Sequence, residues 1–252
     1  MSAAAPGFTV NGTTGPAVLL FPGGGAVADG FFPGLVESLS DCRVILPKRA
    51  SIIKGGADDL HAVITAAGLG PVVLVAQSLG GAIAVLLAQA HPEDLAGLVL
   101  LDPTPINARP ILQQTERSIK VLAALTRLPF GEALIKQALL KPMVTRAAKG
   151  GMRADCVDAM REITTLPIRR IAGAATGVTA ATIDPSTVKP LPTIVVTADR
   201  KPGHKVTRAH EALAAALGGT VVSWPKAAHA VHLTHPDEVA QTVRSMVDRV
   251  AA

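Results

Sequence analysis

The chain has almost no aromatic residues: no Tyr, one Trp and five Phe, 2% of its 252 residues. Its core must therefore be built from Ala, Val, Leu and Ile, and functions that rest on ring stacking, such as single-stranded nucleic-acid platforms, are disfavoured. Cysteine is nearly as scarce. Cys42 and Cys156 are too few for a disulfide framework or a structural zinc site, and both are read as inert thiols. Charge is low as well: 17% of residues are charged against 49% hydrophobic, with a mean hydropathy of +0.40, which excludes an intrinsically disordered chain. Long apolar runs are missing. Val72–Ala76 and Leu98–Leu101 are bounded by Gly, Pro or Asp, well short of the roughly 20 residues that a membrane span needs. Met1–Val10 holds no basic region followed by an apolar run, so no export signal is expected, and the expected location is the cytoplasm.

The formal net charge is +5 and the isoelectric point near 9.5. The cations come in ones and twos, which reads as a solvated surface rather than a polyanion-binding face. A small-molecule substrate is expected, with neither nucleic acid nor membrane as partner; the oligomeric state is left open.

What is present is an alternation. Short Val/Leu/Ile runs at Ala17–Phe21, Arg43–Leu46, Val72–Ala76, Gly97–Leu101, Thr193–Thr197 and Thr220–Trp224 are apolar on both faces and read as buried parallel strands. Helices are expected at Phe31–Leu39, Asp58–Ala67, Leu79–Ala90, Val206–Leu217 and Asp237–Ala251. The order implies an α/β fold with a doubly wound, mostly parallel sheet. Between Pro103 and about Lys189 no strand is evident, while Leu112–Leu125, Gly131–Leu140 and Met152–Ile163 carry helical spacing. This divides the chain into a core, residues 1–104 and 190–252, and a helical cap, residues 105–189, whose Ala-rich stretch Ala172–Ala181 reads as a connection of small residues.

Three segments carry chemistry. Val75-Ala-Gln-Ser-Leu-Gly-Gly81 follows a strand and opens a helix, placing Ser78 on a sharp turn that lifts its hydroxyl above the sheet edge and needs small neighbours, here Ala76 and Gly80. The helix N-terminus behind it favours developing negative charge. Leu19-Leu-Phe-Pro-Gly-Gly-Gly25 ends the first core strand and brings backbone amides towards Ser78, with Gly24 and Leu79 as the expected oxyanion donors. Ala227-Ala-His-Ala-Val-His-Leu-Thr-His-Pro-Asp237 puts His229 on a loop at the same sheet edge, where a base can take the Ser78 proton and return it to a leaving group. His232, on the same loop, is read as supporting, and His61, His91, His204 and His210 as surface or satisfied histidines.

These segments, together with His91-Pro-Glu-Asp-Leu-Ala-Gly97 leading to Asp102, resemble the α/β-hydrolase superfamily, in the branch with a helical cap, over nearly the whole chain. The resemblance implies the α/β-hydrolase fold, Ser78 as nucleophile and His229 as base. Several positions depart from the family pattern: Pro22-Gly23 stands for the usual His-Gly, Ala76 for the first elbow Gly, and Pro47-Lys-Arg-Ala-Ser51 for Asp-x-x-Gly-x-Gly. The N-terminal hairpin of many members is at best partial. Two acids compete for the third triad place. Asp102 ends the strand after the elbow helix, where the haloalkane-dehalogenase-like branch carries its acid, and is placed first. Asp199 follows the strand after the cap, in Ala198-Asp-Arg-Lys201 where relatives show Gly-x-x-Asp. Only one acid can orient the imidazole.

The resulting expectation is a serine hydrolase, esterase- or thioesterase-like, that cleaves a small, largely apolar carbonyl ester through an acyl-enzyme, without cofactor or metal. The alternatives are C–C bond hydrolysis, lyase or cofactor-free oxygenase chemistry on the same triad, or a non-catalytic ligand-binding member. Lys48, Arg49, Arg200 and Lys201 follow two strands at the same edge and are read either as a solvated rim or as an attractor for an anionic thioester.

Overall fold

The computed structural model describes residues 7–24, 26–48, 56–169 and 183–252. The described strands form one sheet: β1 Phe8–Asn11, β2 Ala17–Phe21, β3 Arg43–Pro47, β4 Val72–Gln77, β5 Leu95–Leu101, β6 Thr193–Val196 and β7 Thr220–Val222. Their spatial order is β1-β3-β2-β4-β5-β6-β7. Every pairing is parallel except β1 with β3. The central strands β2 and β4 are buried along their whole length, and so is nearly all of β5. Parallel strands covered by helices on both faces require such continuous apolar runs. The edge strand β1 has a mostly exposed Phe-Thr-Val-Asn sequence, without the buried run that marks β2 to β6.

Helices α2 Ala57–Ala67 and α3 Leu79–Ala90 cover one face, joined by α8 Lys205–Ala216, and contribute Leu60, Ile83 and Leu213 to its core. The other face is covered by α1 Leu35–Ser38 and α10 Pro236–Ala251 with Leu35, Val243 and Met246. The helix expected over Phe31–Leu39 is shorter than its apolar pattern, because Pro33 lacks an amide hydrogen and Gly34 takes the left-handed conformation (φ 74°) immediately before α1. Phe31 and Phe32 are still buried, on the turn before it. Three of the five Phe, with Phe21, thus lie in an otherwise aliphatic core.

Between β5 and β6 the chain is helical wherever it is described as regular: α4 Arg109–Leu125, α5 Gly131–Ile135, α6 Lys141–Lys149 and α7 Ala154–Thr165. The stretch expected as one helix over Gly131–Leu140 runs through a π-helical turn, Lys136–Leu140, directly into α6. α7 packs through Cys156 and Met160 onto Leu233 of the short helix α9, Val231–Thr234. The Ala172–Ala181 stretch and Arg49 lie outside the described residues.

Candidate active site

Ser78 sits between β4 and α3 with φ 53° and ψ −118°, a conformation that a non-glycine residue adopts only when its surroundings hold it. Those surroundings are backbone bonds: Ser78 N–H donates to Leu101 O (3.0 Å), and Ser78 O accepts from Thr104 N–H (2.8 Å) and Gly81 N–H (3.0 Å). The turn between β2 and α1 presses against this elbow. A Cβ on Gly23 would lie 2.5 Å from Gln77 Oε1 and 2.8 Å from Ser78 Cβ, and one on Gly80 would lie 2.7 Å from Pro22 O. Only glycine fits at either position, which brings Gly24 and Leu79 to the rim of the cavity that also holds Ser78. Leu79 is the first residue of α3, so its N–H has no partner within the helix.

His229 lies on the loop before α9. Its Nε2 is 2.9 Å from Ser78 Oγ and its Nδ1 2.6 Å from Asp102 Oδ2. A carboxylate only accepts hydrogen bonds, so Nδ1 carries the proton and Nε2 is left to accept from the Ser78 hydroxyl. Gln77 Nε2 donates to His229 O (3.2 Å), tying the loop to the residue beside the elbow. The imidazole is open to solvent, with 60% of its side chain exposed, whereas Asp102 is 1% exposed.

Asp102 follows β5 with φ 44°, and its own N–H donates to Val196 O (2.7 Å). Besides His229 it has two partners. Ala198 N–H donates to Oδ1 (2.9 Å), and the Arg200 guanidinium spans both oxygens, Nη1 to Oδ1 and Nη2 to Oδ2, each at 2.7 Å. Burial by itself pushes the Asp102 carboxyl up. The hydrogen bonds from His229 and Arg200, the imidazole charge and the Ala198 amide together outweigh it and hold the acid well below the usual carboxylate range. Behind this pair lies His210, fully buried, its Nδ1 at Thr197 Oγ1 (2.9 Å) and its Nε2 at Pro103 O (2.8 Å). Desolvation lowers its pKa and keeps it neutral.

The two acids that the sequence leaves in competition are therefore separated in space by their partners. Asp199 does not bond the imidazole: its Oδ2 accepts from Lys226 N–H (2.7 Å) and its N–H donates to Ala227 O (2.8 Å), which closes the turn leading to His229. The expected rim of cations is altered too, because Arg200 turns inward onto Asp102, while Lys48 and Lys201 are exposed. His232 is 2% exposed and stacks on Phe31 (centroids 4.5 Å apart, planes at 20°). Neither of its ring nitrogens has a hydrogen-bond partner among the described residues, and burial, then the charge of His229, pushes its pKa down to about 3. Both thiols are buried, and desolvation raises their pKa, that of Cys156 to about 11.

Ser78, Leu79, Gly24 and His229 open into a cavity of about 340 Å³, whose apolar side comes from Ile111 and Ile119 of α4 and Val206 of α8. Arg200 and Gln77 are the contributors that sequence reasoning did not assign; the arginine was visible only as a charge after β6. Among the described residues, His61, His91 and Glu93 are the group whose donor atoms approach closely enough to share an ion. The two imidazoles are stacked at 4.0 Å with planes 10° apart, and His61 Nδ1 already meets Asp94 (2.7 Å). Nitrogen lone pairs lie in their ring planes, and those of parallel stacked rings do not converge on one ion.

A model of the alpha/beta hydrolase family matches residues 18–242. The chain belongs to that family, and the seven-stranded, mostly parallel sheet with helices on both faces is its fold. Over 51 residues the chain is 49% identical to the lipase LipV of Mycobacterium tuberculosis, a match that covers 20% of this chain and 20% of that lipase. A putative non-heme bromoperoxidase, BpoC, from Mycobacterium tuberculosis superposes with a TM-score of 0.75 at 20% identity, over 100% of this chain and 98% of that one. A thermophilic esterase from Thermogutta terrifontis gives 0.70 at 22% identity, over 98% and 94%. No described helix is long and apolar enough to cross a membrane.

Proposed function

We propose that the protein is a serine hydrolase that cleaves an ester or thioester with a small, largely apolar acyl group. The observation that carries this reading is the unbroken chain Ser78 Oγ, His229 Nε2, His229 Nδ1, Asp102 Oδ2, with steps of 2.9 and 2.6 Å. His229 takes the Ser78 proton as the oxygen attacks the carbonyl carbon, and the developing oxyanion lies against the Gly24 and Leu79 amides. The protonated imidazole then gives its proton to the leaving alcohol or thiol, the C–O or C–S bond breaks, and an acyl group remains on Ser78. Water, deprotonated by the same imidazole, releases the acid. Asp102 holds the Nδ1–H tautomer and balances the imidazolium. The cavity, at the lower end of ligand-pocket sizes, and its Ile111 and Ile119 wall, contributed by α4 of the expected cap, favour a compact apolar acyl group.

Labelling by a fluorophosphonate, followed by rates on a series of p-nitrophenyl esters and acyl thioesters, tests the reading. Ser78 is expected to carry the label, and Ser78→Ala to lose both labelling and turnover while staying folded. Folded parent protein that refuses the probe and hydrolyses none of the series overturns it.

A further inference from the structure

Apart from Val10, every large hydrophobic side chain that stands exposed among the described residues falls between Val121 and Met143. Val121, Leu125 and Leu128, spaced i, i+4, i+7, run down the end of α4 to a tight corner. There Gly131 N–H donates to Leu128 O (2.9 Å), and a Cβ on Gly131 would lie 2.1 Å from Leu125 O. Phe130 and Leu134 continue the apolar surface onto α5. Phe130 is 83% exposed and held at φ 60°, the one Phe of five turned fully to solvent. Monomeric proteins bury or partner apolar surface of this kind.

Charge says what partner fits. From Arg109 to Lys149 the sequence has eight Lys or Arg against two acidic residues, more than the excess of five over the entire chain. Both acids are spoken for, Glu116 by Lys120 and Glu132 by Lys136. Arg127, Lys141 and Arg146, by contrast, form no ion pair among the described residues and are exposed. A second copy of the chain, docked about a two-fold axis, sets these same cations opposite one another. An anionic bilayer surface instead takes the apolar corner below its headgroups and the Lys and Arg ammonium and guanidinium groups among its phosphates.

We infer that the corner between α4 and α5, with Phe130 at its tip, docks onto anionic lipid surfaces. The docking leaves the chain on the membrane, not across it, and so escapes any search for long apolar runs. α4 lines the cavity with Ile111 and Ile119 at one end and presents Val121 and Leu125 at the other, so docking sets the cavity beside a bilayer surface into which small apolar esters partition. That last consequence rests on the proposed hydrolysis; the docking itself does not.

Flotation of the full chain with vesicles of phosphatidylcholine mixed with phosphatidylglycerol, and with vesicles of phosphatidylcholine alone, tests the inference. Strong binding is expected only to the mixed vesicles, weakened by high salt, and reduced about tenfold or more by Phe130→Ser with Leu134→Ser and by Arg127→Gln with Lys141→Gln. Circular dichroism and cleavage of a soluble short-chain ester establish that both double variants are folded. Ser78→Ala is expected to float like the parent, which separates this inference from the catalytic one. Absence of flotation with the mixed vesicles overturns it, as does equal binding by the parent and both doubles. A lipid-free dimer that the apolar double dissolves overturns it in favour of a second copy.

Discussion

At the scale of single residues, the proposed hydrolysis turns on which groups would make Ser78 reactive. Asp102→Asn is expected to lower kcat by about 10³ to 10⁴, because an amide at that place favours the wrong imidazole tautomer. Asp199→Asn, which leaves the imidazole untouched and disturbs only the Lys226 turn, is expected to keep kcat within a few-fold. Ester hydrolysis by the two variants checks this, and an unchanged rate in Asp102→Asn removes Asp102 from the mechanism. Arg200→Gln is expected to lower thermal stability by about 3 kcal/mol, since it strips a bidentate partner from a nearly fully buried carboxylate, and to lower kcat more than it changes KM. Arg200 holds the acid rather than the substrate, and thermal melts run beside the kinetics separate the two effects.

At the scale of elements, the site is a meeting of turns whose approach depends on glycine. Gly23→Ala drives a methyl to within 2.5 Å of the Gln77 side chain and 2.8 Å of its carbonyl oxygen and of Ser78 Cβ. The backbone must move, at about 1–3 kcal/mol of stability. Because the neighbouring Gly24 amide moves with it, kcat is expected to fall about 10²-fold. Melting temperature and kcat, measured together, check both parts.

These elements also show how far a linear pattern reaches. The elbow, the glycine turn and the histidine loop are legible because each is a short motif joined to a neighbouring strand or helix. The choice between Asp102 and Asp199 is not. Both follow adjacent strands that pair Leu101 with Val196, and the outcome depends on which carboxylate meets a loop more than a hundred residues away in sequence for Asp102. The Phe31–Leu39 helix shortens because Pro33-Gly34 overrides its apolar spacing. The exposure of Phe130 is hidden for a related reason: apolar spacing marks a face without saying whether anything covers it.

At the scale of the whole molecule, stability couples to pH through buried histidine. The folded protein holds His232 neutral, with a pKa near 3, whereas the unfolded chain protonates it near 6.5. Between these values the unfolded state binds the proton that the folded state refuses. Stability contributed by the neutral ring is thus complete above about pH 6.5 and is lost as pH falls, by at most about 1.4 kcal/mol per pH unit. His210, also lowered by burial, adds in the same direction, and below about pH 4 so does the depressed Asp102. Replacing His232 by Phe, which retains the stack on Phe31, is expected to flatten the slope between pH 6 and 4 (roughly the window set by the two pKa values) in denaturant titrations. An unaltered slope assigns it to His210 and the acids.

The sequence by itself determined the kind of fold, the six strands β2 to β7 in their order, helices between β5 and β6, and the placing of Ser78, Gly24, Leu79 and His229 at one sheet edge, but neither the edge strand β1 nor the short helix α9. Periodicity, turn chemistry and strand-to-helix junctions are local, and a single chain carries them in plain order. Only the tertiary structure decided that Asp102 meets His229, that Arg200 turns inward to clamp it, that His232 is buried with no hydrogen-bond partner among the described residues, and that of the six aromatics three Phe lie in the core and one, Phe130, stands in solvent. Each of these depends on burial or on a contact between distant segments, and neither property exists until the sheet has brought those segments together.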